Sequence, residues 1–285
     1  MKKFFIVLLL TISTTMVLNA TKHALVIGIG PYPTQTGWTA INGDKDIPIV
    51  EKMLLSNGFL PQDIVALENQ NATADAIRAE LSSLVKKAQV GDVIYIHFSG
   101  HGQRITDISG DEEDGFDEAW IAYDAQFAYA DGVYEGENHI LDDQLNDYLH
   151  QIREKVGKNG KITVVADACH SGSATRDIES EQDTMVIRGA SDDFLIPNKF
   201  RLFNQDRVQN IEWIVISACK SYQCNYEYNG AGSLTYVLSL QADNLATTPA
   251  PQMARQIKAA IVNVLQLPQT PVIETPTSIN QQTIF

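Results

Sequence analysis

Along most of the chain, short apolar runs alternate with longer segments of helical periodicity. Residues 23–29 (HALVIGI) form an apolar run closed by Gly30 and Pro31, which predicts a strand buried on both faces. Residues 46–57 (DIPIVEKMLLSN) then repeat apolar positions at helical spacing and stop at Gly58. The same strand-then-helix order returns at 63–67 and 73–88, and again with strands at 93–98 (VIYIHF) and 161–166 (KITVVA) flanking a helix at 141–156. A fifth strand at 211–218 (IEWIVISA) and a last amphipathic helix at 251–265 complete the pattern. Strands separated by helices of this length predict an α/β fold with a mainly parallel sheet covered on both faces. Ligands of such sheets collect at the carboxyl ends of the strands. Residues 104–138, rich in acid and glycine, and 171–210, polar and without strong periodicity, interrupt the alternation.

The N-terminus departs from this pattern. Lys2 and Lys3 precede the apolar run 4–10, a Thr/Ser-rich stretch and Val17-Leu18-Asn19-Ala20, which together predict an export signal over residues 1–20. Seven apolar residues are too few for a membrane span, which needs about 20. The expected product is exported, periplasmic or secreted, and free of the membrane. With 35 acids against 21 bases the net charge is −14, which argues against nucleic-acid or anionic-lipid partners. Three cysteines are too few for a disulfide scaffold, and Cys219 and Cys224 are left open as a disulfide or two thiols.

Two strand ends carry reactive side chains. The strand at 93–98 runs into Ser99-Gly100-His101-Gly102, and the strand at 161–166 into Asp167-Ala168-Cys169-His170-Ser171-Gly172. Either residue alone reads as an inert core cysteine or a satisfied loop histidine. On neighbouring strands they face one another, and an imidazole beside a thiol generates a thiolate nucleophile. The flanking glycines let backbone N–H groups approach a developing oxyanion.

On these two motifs the chain resembles the caspase-fold cysteine peptidases, in particular the metacaspases and their bacterial metacaspase-like (orthocaspase) branch. Ile216-Ser217-Ala218-Cys219 and Gly232-Ser233-Leu234-Thr235 extend the similarity toward a small-subunit-like region. The animal-caspase signature Q-A-C-[RQG]-G does not fit, which argues against a preference for Asp. The resemblance implies a caspase-like three-layer αβα sandwich, with residues 21–190 as the large-subunit-like region and 191–285 as the small-subunit-like region of one domain. It also implies Cys169 as nucleophile, His101 as general acid/base, and the N–H groups of Gly102 and Cys169 as oxyanion donors. No third member of the dyad is evident, and His170 reads as structural.

Asp167 lies two residues before Cys169 and Ser99 two before His101, so strand periodicity sends each pair to the same side and predicts an acidic pocket. The resemblance adds Asp46 as a second pocket acid, against a plain reading as a helix N-terminal acid. Such a pocket favours substrate Arg or Lys through charge-assisted hydrogen bonds. Between Arg104 and Arg153 there is no Lys or Arg, while Asp107, Asp111, Glu112, Glu113, Asp114, Asp117 and Glu118 crowd together. Hard oxygen ligands suit Ca²⁺, though the spacing fails the EF-hand pattern and a solvated acidic loop is the alternative. By resemblance the calcium ligands are Asp117, Asp142, Asp143 and Asp177, and no organic cofactor is implied. Arg176 and Arg188, expected in an exposed loop, are candidate self-cleavage sites.

The leading expectation is an exported, monomeric cysteine endopeptidase that cuts protein or peptide substrates after Arg or Lys and is stimulated by calcium. A clostripain-like or gingipain-like Arg-specific peptidase and an inactive caspase-fold binding module are the alternatives. A zinc site at His97, His101 and Cys169 is disfavoured, because its H-x-x-x-H lacks the intervening Glu and leaves a strand.

Overall fold

The computed structural model describes residues 20–110, 112, 114–170, 185–197, 211–276 and 281–285. In chain order the elements are β1 (Lys22–Gly28), α1 (Asp46–Ser56), β2 (Ile64–Glu68), α2 (Ala74–Lys87), β3 (Val93–Ser99), β4 (Gly102–Thr106), β5 (Phe116–Ile121) and β6 (His139–Leu141). They continue with α3 (Asp142–Val156), β7 (Lys161–Asp167), β8 (Ile214–Ser217), β9 (Glu227–Tyr228), β10 (Ala231–Gly232), α4 (Ser233–Leu240), α5 (Ala250–Ala259) and β11 (Val272–Glu274).

Six strands form one sheet in the order β11-β8-β7-β3-β1-β2. All its pairings are parallel except the edge strand β11, which runs antiparallel to β8. Alternation along the strands divides the apolar residues between two cores. Leu25, Ile27, Ile94, Ile96, Phe98, Ile162 and Val164 pack with α2 and α3 on one face. Ala24, Val26, Tyr95 and Val165 pack with α1, α4 and α5 on the other. The expected α/β sandwich with its parallel sheet is therefore what the chain builds.

The strand-and-helix pattern is recovered with ends shifted by three residues or fewer, except that α5 stops at Ala259 and the remainder of the last expected helix is a π-helical segment, Ala260–Val264. For α2 the start is set by Thr73, whose hydroxyl accepts from the N–H of Ala76. Residues 104–138, which lack a readable period, contribute instead to a separate antiparallel sheet, β4-β5-β6. Acids and glycines obscure its alternation, and buried residues fall on both of its faces, as the consecutive Ala119, Trp120 and Ile121 show. The helix α4 is also absent from the sequence expectation.

Candidate active site

Parallel register brings the two motifs together. Ser99 at the end of β3 is paired with Asp167 at the end of β7 on one side and with Gly28 of β1 on the other. His101 and Cys169 follow two residues later, both buried. Gly102 lies against the nucleophile loop: a Cβ there would sit 2.6 Å from the Cys169 carbonyl oxygen and 2.7 Å from the His170 ring. Only glycine allows this approach, which places the Gly102 backbone beside that of Cys169.

The loop after β1 supplies what the two motifs lack. His101 Nε2 donates to the Thr39 carbonyl at 2.9 Å, so the ring's second partner is a backbone group invisible to any search for a third side chain. That bond fixes the tautomer and leaves Nδ1 as the acceptor nitrogen, buried and without a hydrogen bond among the described residues. Trp38 stacks on the imidazole at 4.9 Å, and the Tyr32 hydroxyl accepts the His101 N–H at 3.1 Å. Burial pushes the His101 pKa down to about 4, partly offset by the Thr39 carbonyl, so the ring is a neutral base near pH 7. The Cys169 thiol donates to the Gln223 carbonyl at 2.7 Å. Cys219 shares that acceptor at 3.2 Å, and none of the three cysteines is in a disulfide.

Residues 185–190 run through this cleft. Ile187 bridges antiparallel to Tyr226, with the Arg188 N–H on the Asn225 carbonyl at 3.0 Å and the Glu227 N–H on the Val186 carbonyl at 3.0 Å. The Arg188 carbonyl accepts the Cys169 N–H at 2.7 Å. An ideal Cβ on Gly189 would lie 3.2 Å from Cys169 Sγ, which puts the 188–189 peptide bond at the nucleophile. Beside it an open cleft of about 590 Å³ is lined by Trp38, Thr39, Phe127, Ile187 and Gly189.

The Arg188 side chain fills the acidic pocket. Its Nη1 donates to Asp46 Oδ2 at 2.6 Å and lies 3.8 Å from Asp167 Oδ1, and its Nε donates to Glu227 Oε1 at 3.0 Å. Burial alone would lower the guanidinium pKa, but Asp46, Asp167 and Glu227 outweigh it and raise the value. The expectation of Arg188 in an exposed loop is thus corrected: three carboxylates hold it fully buried. Asp46 does open α1, as the plain reading had it. Its other oxygen accepts the Gly232 N–H at 3.0 Å, so the same side chain also forms the pocket wall.

A second layer fixes Asp167. Its Oδ2 accepts from the N–H and hydroxyl of Thr235, both at 2.7 Å, and its Oδ1 from Asn225 Nδ2 at 2.7 Å. Because the Thr235 hydroxyl donates to Asp167, it accepts from His97 Nε2 at 3.0 Å. Ser99 Oγ also meets His97 Nε2, at 3.1 Å, so Ser99 supports the pocket floor through His97. With Tyr95 on its Nδ1, His97 has no nitrogen left for a metal shared with His101.

Pairing of Ala119 with Leu141 across β5 and β6 brings Asp117 and Glu118 near Asp142 and Asp143 at the start of α3. Burial pushes the Asp142 carboxyl up to about 8, reinforced by Glu118, Asp117, Asp143 and Glu112, and its Oδ1 is buried without a hydrogen-bond partner among the described residues. Among the described residues no three His, Cys, Asp or Glu side chains already form a metal cage. Asp177 and Arg176 lie outside the described residues, as do residues 1–19.

Glu227, Asn225 and the Thr39 carbonyl were not found from sequence, and Gly232 and Thr235 were noted there only as part of a small-subunit-like motif, without a place in the pocket. The segment after β1 lies at the same sheet edge as both motifs, which is the signal that could have singled out Trp38 and Thr39.

The sequence matches the metacaspase, peptidase C14 domain over residues 22–177, more than half of the 285 residues. The chain belongs to the metacaspase family. Metacaspase-7 of Arabidopsis thaliana is 36% identical over 159 residues, covering 53% of this chain and 35% of that protein. Metacaspase-1A of Aspergillus niger is 36% identical over 163 residues, covering 54% and 36%. The matched stretch thus spans about a third of each of these metacaspases. A crystal structure of a Geobacter sulfurreducens protein shares the fold, with a TM-score of 0.63 at 20% identity, over 92% of this chain and 97% of that one. Family and fold together make this the caspase-like αβα sandwich, and the clostripain-like and gingipain-like alternative gives way to the metacaspase one.

Proposed function

We propose that the chain is an exported cysteine endopeptidase that cuts after Arg in preference to Lys, and that Arg188–Gly189 is its own first substrate. The observation that carries this reading is the placement of Arg188, with its carbonyl oxygen on the Cys169 N–H and its guanidinium among three carboxylates.

The chemistry follows from that placement. The Cys169 thiol turns from the Gln223 carbonyl and gives its proton to His101 Nδ1. The sulfur then attacks the Arg carbonyl carbon, and the oxyanion is held by the Cys169 N–H and, by its position beside Cys169, the Gly102 N–H. His101 passes its proton to the departing amine, leaving a thioester on Cys169. Water, deprotonated by His101, hydrolyses the thioester, which releases the Arg carboxylate and restores the thiol. Until cleavage or displacement, residues 185–190 occlude the cleft. Arg176 remains a second candidate cut.

Calcium belongs to the proposal through Asp142, whose buried, partnerless oxygen among like charges suits a hard cation. Asp117, Asp142 and Asp143 would hold the ion, joined by Asp177. When bound it would supply positive charge to this group of carboxylates. Export rests on the sequence of residues 1–20. The product is proposed to act as a monomer.

The test is hydrolysis of Arg-, Lys- and Asp-terminated peptide reporters by the parent, Cys169→Ala and His101→Ala. The expected order is Arg, then Lys, with Asp uncut. Both variants should be inactive, and undiminished activity in Cys169→Ala ends the assignment.

A further inference from the structure

The pocket holds a carboxylate that neither signature motif contains. Glu227 opens β9, 58 residues beyond the nucleophile, and only 4% of its side chain is exposed. Its Oε1 accepts from Arg188 Nε at 3.0 Å and from the Asn42 N–H at 2.6 Å, while Oε2 takes the Asn42 side-chain amide at 2.5 Å. The carboxylate is therefore fixed before any substrate arrives. The three acids divide the guanidinium between them: Asp46 takes Nη1, Asp167 stands 3.8 Å from the same nitrogen, and Glu227 alone takes Nε. Nη2 has no partner.

We propose that Glu227 is the residue by which this site separates arginine from lysine, an inference that rests on the reading of the pocket as the seat of a basic residue. Counted along the side chain, the fourth carbon of lysine falls where arginine has Nε, and the ammonium falls where arginine has its guanidinium carbon. Lysine in this position keeps its attraction to Asp46 and Asp167, but presents a methylene to Glu227 and leaves that buried carboxylate without its cationic donor. A site built to receive a donor discriminates strongly against an analogue that lacks it. The backbone makes the contact obligatory. The segment that binds the cleft pairs with residues 225–227, so the strand carrying the scissile residue lies against the strand carrying Glu227.

The experiment is kcat/KM for matched Arg and Lys reporters with the parent and Glu227→Gln. Occupation of the pocket by Arg188 lowers both reporters by one common factor, so the Arg-to-Lys ratio reports the pocket alone. Loss of a charge-assisted contact predicts a fall of roughly 10- to 150-fold for Arg and no such fall for Lys, so that the Arg-to-Lys ratio drops. A retained Lys rate also shows that the variant folds. Glu227→Asp withdraws the carboxylate by one methylene and keeps its charge. It should lower the same ratio, and it decides the question if Glu227→Gln does not fold. A ratio unchanged from the parent overturns the inference while leaving the basic pocket standing. A parent that cleaves neither reporter overturns both.

Discussion

Replacing Arg188 with Gln removes the one cation from a buried group of three acids, and its consequence can be worked contact by contact. Asp167 keeps Thr235 and Asn225, and Glu227 keeps both groups of Asn42. Asp46 keeps the Gly232 N–H on Oδ1 but loses the 2.6 Å donor on Oδ2. All three carboxylates lose their cation and Glu227 loses the Nε donor, but the oxygen left with no hydrogen bond from these groups is Asp46 Oδ2, on a residue with no solvent exposure. Breaking a buried ion pair by removing one partner costs about 3–5 kcal/mol. Release of residues 185–190 would let water reach Asp46, so the lower end, about 3 kcal/mol, is expected. For a domain of this size that is roughly 6–12 °C in Tm. The assay is calorimetric unfolding at pH 7 in a Cys169→Ala background, so that self-cleavage does not intervene. Agmatine, a guanidinium without a backbone, should raise the Tm of the Arg188→Gln protein and leave that of the Arg188 protein unchanged, because only an empty pocket can take it. A Tm within about 2 °C of the Arg188 protein, or equal responses to agmatine, would refute the claim that the guanidinium is what these acids are arranged around.

Three further outcomes follow from the same geometry. Gly232→Ala should reduce kcat/KM for Arg reporters more than about tenfold, because its methyl would lie 2.1 Å from Asp167 Oδ2 and 2.5 Å from Arg188 Nη1 although φ at −62° tolerates alanine; an unchanged rate contradicts the pocket wall. Millimolar calcium should raise the Tm of the parent, and Asp142→Asn should abolish that rise, whereas identical melts with calcium and chelator leave a solvated acidic loop. Stability should fall as pH drops from about 6.5 toward 4: burial pushes His97 and His101 down to about 4 and His139 to about 3, so the unfolded chain binds three protons that the folded one refuses. Asp142, raised to about 8 by burial, offsets one of them over this window, leaving two, and a flat Tm between pH 6.5 and 4.5 would count against these buried neutral rings.

The sequence made the sheet readable where burial is two-sided. β1, β3 and β7 are apolar on both faces because α1 and α4 cover one and α2 and α3 the other, and their ends announced His101 and Cys169. Asp46 and Asp167 were also legible, one through the family resemblance and one by strand parity. What closes the site was not, because its members are brought together only by the fold. Arg188 meets Asp46 across 142 positions, and Asn42 meets Glu227 across 185. A polar segment such as 171–210 gives no periodic sign that one of its arginines turns inward. Thr39 contributes a carbonyl, which its side chain cannot advertise.

Mass spectrometry of the chain after incubation with calcium tests the central claim most directly. If Cys169 and His101 cut after an arginine seated among Asp46, Asp167 and Glu227, the parent yields a fragment whose N-terminus is Gly189, and Cys169→Ala stays intact at that bond. The account is contradicted if the 188–189 bond of the parent survives while other bonds are cut, or if the Gly189 fragment forms equally in Cys169→Ala.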